Sequence, residues 1–160
     1  MTGRAIWFLP LACCVVVSLV GNAPAAQQKE TIHRTIKADH VEQVLKDLNI
    51  ANYKKSQPAN LPDDVDFDFT RNRHPYRFTV SRGKLLWISV YFAKAPLETI
   101  NRWNTQTKFS RAVLDRLGDR EFAVIEYQVD ASGGVTLEMI RQMMRRFDEE
   151  VLRFEQFLRN

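Results

Sequence analysis

Leu85-Leu86-Trp87-Ile88-Ser89-Val90-Tyr91-Phe92 is the stretch that decides the fold. It is apolar except for Ser89, rich in aromatic and branched side chains, and too short for a buried helix. A run with so little polar alternation predicts a central strand buried on both faces. On its N-terminal side, Gly83 after Arg82 marks a tight turn, and residues 76–81 read as the preceding strand. A turn over 72–75 leads back to a strand introduced by Pro62 and Asp63. There Val65, Phe67 and Phe69 face one way and Asp64, Asp66 and Asp68 the other. Residues 52–60 are polar and read as a loop, with a short extended piece around Tyr53. Over 37–49, Ala38, Val41, Val44, Leu45 and Leu48 recur at helical spacing.

On the C-terminal side, Pro96 fits the first turn of a helix that runs to about Thr107. Leu97, Ile100 and Trp103 or Asn104 define its inward face. Strands over 109–114 and 121–129 follow, joined at Leu117-Gly118-Asp119, and Ser132-Gly133-Gly134 makes a turn. The last helix spans about 135–158, with Thr136 as N-cap. Its apolar residues Ile140, Met144, Phe147, Val151, Phe154 and Leu158 recur in steps of four and three. Arg145 with Glu149 and Arg146 with Glu150 are placed for i,i+4 pairs. The order α-β-β-β-α-β-β-α predicts an α+β domain, a mostly antiparallel sheet packed by helices.

Composition agrees with one folded domain. In 160 residues, 45% are hydrophobic and 26% charged, and ten Phe with three Trp exclude intrinsic disorder. Six Gly and six Pro exclude collagen-like or low-complexity architecture.

The first 26 residues differ from the rest. Their only ionisable side chain is Arg4, an apolar run covers 5–20, and Ala23-Pro24-Ala25 fits a small-residue cleavage site. This is the pattern of a secretory signal peptide, cut near Ala25/Ala26 or after Ala26. The 16-residue run is short against the roughly 20 residues of a spanning helix. Leu11-Ala12-Cys13-Cys14 resembles a lipobox poorly. The expected organisation is a signal peptide over 1–26, a polar lead-in over 27–36 and an α+β domain over 37–160. The expected location is the periplasm or the extracellular space, with no stable membrane span after cleavage. Both cysteines lie in the signal, so the mature chain has neither a disulfide framework, a thiol nucleophile nor a Cys-ligated zinc. Removal of Arg4 leaves 22 basic against 19 acidic side chains, net +3 and interspersed. Export and the absence of a basic run argue against a nucleic-acid partner.

No catalytic, cofactor or metal motif emerges. Asp64, Asp66 and Asp68 on one strand face lack the sharp glycine turn of a calcium loop, and pairing with Arg71, Arg73 or Arg77 is the better account. His33, His40 and His74 are too scattered for a metal motif. Nucleophile elbows and phosphate loops are missing. Gly133-Gly134 could offer backbone N–H groups to an anion, but a turn with positive φ is the favoured reading. Asn101, Trp103 and Asn104 form either a polar floor for a ligand or a lock of helix to sheet, and the lock is favoured. Met139, Met143 and Met144 with Phe147 suit an adaptable surface or, preferentially, the core.

Ile100-Asn101-Arg102-Trp103-Asn104, then Phe109-Ser110-Arg111-Ala112, Leu114-Asp115, Gly118, Gly133-Gly134-Val135-Thr136 and Phe154-Glu155-Gln156-Phe157-Leu158 together resemble the YbjN family, labelled a bacterial sensory transduction regulator. The resemblance covers about 34–158, with its specific part in 98–158. It implies a fold similar to class I type III secretion chaperones, and it implies neither an enzyme nor an established ligand. The acidic 63–68 segment and the export signal depart from the family pattern. The expectation is an exported, non-enzymatic module without cofactor that binds a protein or peptide, alone or as a homodimer. The alternative is a module for a small ligand or an anionic envelope surface.

Overall fold

The computed structural model describes residues 30–159, so the leader reading over 1–26 lies outside the described residues. The elements are α1 (Ala38–Asp47), β1 (Tyr53–Ser56), β2 (Asp64–Arg71), β3 (His74–Ser81), β4 (Leu85–Ala93), α2 (Leu97–Gln106), β5 (Arg111–Leu117), β6 (Arg120–Asp130) and α3 (Leu137–Arg159). The architecture is α+β, and the order matches the sequence reading with one strand added. That strand, β1, is four residues with two lysines, a form that discourages an edge strand from pairing with other chains. It carries too little alternation to be read as more than an extended piece.

The six strands run β1-β2-β3-β4-β6-β5, every pair antiparallel. Asn72 and Arg73 join β2 to β3 with φ of 50° and 68°, the twist-matching geometry of a two-residue hairpin turn. One sheet face collects Phe67, Phe69, Tyr76, Phe78, Leu86, Ile88, Val90, Ala123 and Ile125, all buried. The helices pack there. Tyr76 meets Phe147 edge-on at 6.1 Å between ring centres, and Phe92 meets Phe154 at 5.2 Å. Along α3, Ile140, Met144, Phe147, Val151 and Phe154 are buried at the predicted spacing. The Thr136 hydroxyl accepts the Met139 N–H at 3.2 Å, capping its start.

Three expectations need correction. β4 is central, but only its helix-facing residues enter the core, and Trp87 on the other side is 37% exposed. With all three helices on one face, an antiparallel sheet leaves the other to solvent. Leu97 is 59% exposed, because Pro96 is the cap rather than the first turn and Leu97 merely opens the helix. Neither Arg145–Glu149 nor Arg146–Glu150 forms. Glu150 is buried and instead accepts the Thr107 and Ser110 hydroxyls, each at 2.9 Å, and the Arg153 guanidinium. A buried carboxylate needs fixed donors, and these tie α3 to the α2–β5 connection.

The segment before α1 is stitched to two loops. His33 and Val135 exchange backbone hydrogen bonds at 2.8 and 3.0 Å, and the Ile36 N–H donates to the Gly83 carbonyl at 2.8 Å. Gly83 and Gly134 have φ of +65° and +94°, and a Cβ on either would crowd this segment, 2.8 Å from Thr35 Cγ2 and 2.6 Å from Ile32 Cγ2.

Candidate functional site

The helix-free face of the sheet carries one continuous polar row. Register places Lys54 beside Asp68, Asp68 beside Arg77, Arg77 beside Ser89, Ser89 beside Glu126 and Glu126 beside Arg111. One residue from each of the six strands therefore lines up across the sheet, with signs alternating except at Ser89. Alternation of side chains across the pleat produces this: each of these strands sends its other parity into the core. Arg77 holds Asp68 at 2.8 Å, and Arg111 pairs with Glu126, whose side chain is only 4% exposed. The Thr79 hydroxyl donates to Asp66 at 2.7 Å in the adjoining row, and Trp87 follows Thr79 in register. Tyr91 donates to Asp115 at 3.1 Å. Burial, then that hydrogen bond, pushes the Tyr91 phenol above its ordinary range, so it remains a neutral donor.

Such a face is a platform of paired charges with aromatic rings beside them. Arg77 and Arg111 are already matched by anions, and the aromatic rings Trp87 and Tyr91 stand exposed or half-buried beside them. Among the described residues, no three His, Cys, Asp or Glu side chains converge as metal ligands would. No described helix is long and apolar enough to cross a membrane.

The residues singled out from sequence fall in three places. Asn104 makes a two-way lock with the backbone of Ala112, donating to its carbonyl at 2.8 Å and accepting its N–H at 2.7 Å. Trp103 is buried against Phe154 and Phe157. Asn101 is exposed on α2. Asn104 thus joins α2 to the sheet and Trp103 joins α2 to α3, while Asn101 faces solvent. Arg111 stands on the open face. Gly134 has the positive φ of a turn at the docked N-terminal segment, whereas Gly133 does not. Of the three methionines, Met144 and Met143 are buried and Met139 is 52% exposed. Of the acidic strand, Asp68 takes Arg77 as expected, Arg71 reaches Asp148 on α3 at 2.8 Å, and Asp64 and Asp66 are buried rather than solvated.

Sequence reasoning missed Arg77, Trp87, Tyr91 and Glu126 as companions on one surface. The alternation Trp87-Ser89-Tyr91 was the available signal, masked by the apolar character of Trp and Tyr.

A family model described as "YbjN: Putative bacterial sensory transduction regulator" matches residues 37–160. Among solved structures, the crystal structure of YbjN from E. coli, described as "a putative transcription regulator", is similar with a TM-score of 0.56 and 16% identity. The match covers 72% of this chain and 85% of that one, and it establishes the fold. No curated protein matches.

Proposed function

This chain belongs to the YbjN family, and on that premise we propose that it is an exported, non-enzymatic regulatory module that binds a protein or peptide through its open sheet face. The observation that carries this reading is the row from Lys54 to Arg111 with Trp87 and Tyr91 beside it, on a face that no described helix covers. Aromatic rings with matched charges around them are the usual chemistry of a protein contact. Arg77 and Arg111 already have carboxylate partners, which argues for a protein rather than a nucleic acid on this face. The apolar run over 5–20 and Ala23-Pro24-Ala25 support export.

A photo-crosslinking residue placed at Trp87, compared with one at Leu152 on exposed α3, tests the surface in envelope extracts. A discrete adduct from position 87 alone is expected. Equal adducts from both positions, or none from 87, would overturn the reading. The export arm is checked by N-terminal sequencing of protein from the envelope fraction, expected to begin at Ala26 or Gln27. A chain that retains Met1 would refute it.

A further inference from the structure

The second feature that points to a ligand lies on the opposite side of the sheet from the open face. Between the first half of α3 and the end of β6 is a cleft of about 220 Å³, floored by Leu86, Tyr127 and Val129 and walled by Met139 and Met143. At one end Phe109 stacks on Tyr127, ring centres 3.9 Å apart, and the Arg146 guanidinium lies 4.4 Å above Phe109. Glu150, the acid one helical turn away, is committed to Thr107, Ser110 and Arg153. Arg146 therefore has no carboxylate partner among the described residues.

We infer that this cleft binds a small apolar monocarboxylate, its tail between the methionines and Tyr127 and its carboxylate on Arg146. Three observations fit. An apolar cavity of about 150 Å³ takes benzene, so this one has room for a tail of roughly nine non-hydrogen atoms and none for a two-chain lipid. Methionine walls adapt to a flexible chain. A guanidinium held over an aromatic ring offers its remaining N–H groups in a fork that matches a carboxylate. The site is independent of the open face, so its failure would leave the proposed protein-binding role untouched.

Octanoate and octanol, titrated into the protein and followed by NMR at the methionine methyls, are the probes. Saturable shifts at Met139 and Met143 with octanoate, and binding about tenfold weaker with octanol, are expected. Arg146→Gln, at an exposed position, should lower octanoate affinity about tenfold and abolish the preference over octanol. Met139→Trp, which fills the cleft from its exposed rim, should abolish both. Absence of saturable shifts would overturn the inference, as would equal binding of the two probes that Arg146→Gln leaves unchanged. Methyl shifts that grow with protein concentration alone would put a second copy in the cleft and likewise overturn it.

Discussion

Trp103 links α2 to α3, its ring centre 5.0 Å from that of Phe154 and 5.4 Å from that of Phe157, and it is 2% exposed. Trp103→Ala should cost about 3–5 kcal/mol, a large share of the roughly 5–15 kcal/mol of a whole domain. A denaturant midpoint that stays at the wild-type value would show that the ring is not core. The indole N–H has no hydrogen-bond partner among the described residues, so Trp103→Phe discards an orphaned donor along with some volume and should cost far less than Ala. His40 offers a pH-dependent counterpart. Its Nδ1 accepts the Lys37 N–H at 3.3 Å at the start of α1, the reach-back of a capping box, and its ring lies 4.1 Å from His33. Burial, with His33 and Lys37 nearby, lowers its pKa below 6.5. The unfolded chain then binds the proton more tightly. His40 therefore contributes stability above pH 6.5 that is lost as pH falls through its folded value. Urea midpoints should decline over that window in wild type. They should stay flatter in His40→Gln, which keeps an acceptor at every pH; identical slopes would remove His40 from the account.

At the scale of elements, Arg73 is a long-chain residue held at φ 68° in a two-residue hairpin, where glycine is preferred. Arg73→Gly creates Asn-Gly between β2 and β3 and should stabilise by about 0.5–1 kcal/mol, since the left-handed conformation costs an L-residue about 1–2 kcal/mol and glycine returns part of that as chain entropy. A lowered melting temperature would mean that the Arg73 side chain makes a contact that outweighs its backbone strain. The elements with a strong period were legible in the sequence: α3 by steps of three and four, β2 by Val65-Phe67-Phe69. Their solvent sides were less so. Glu150 reads as an exposed i,i+4 partner on a helical wheel, yet Thr107 and Ser110, forty-odd positions away in sequence, turn it inward. β4 reads as doubly buried because Trp87 and Tyr91 count as apolar, although each carries a polar tip suited to a half-exposed face.

For the molecule as a whole, the candidate site was legible only where it coincided with local pattern. Asn104 could be assigned to locking helix on sheet because its target, Ala112, is eight positions away. The row from Lys54 to Arg111 could not, since it exists only once six strands adopt their register. The same holds for where the folded unit starts. The family match begins at residue 37, but the structure buries Ile36 and bonds His33 and Ile36 to the two glycine-bearing loops that flank β4 and α3. Burying a side chain such as Ile36 contributes about 1.5–3 kcal/mol. Cutting the chain back to Lys37 also strips the partners of the Val135 N–H and the Gly83 carbonyl. A chain that starts at Gln27 should therefore melt at the full-length temperature, because it keeps every one of these contacts. One that starts at Lys37 should melt roughly 5–15 °C lower, the shift that such a loss produces in a domain of intermediate size. Thermal unfolding of the two truncations decides it. Equal melting temperatures would mean that the docked segment contributes nothing to the fold, and a lowered value already at Gln27 would mean that residues of the leader pack against it.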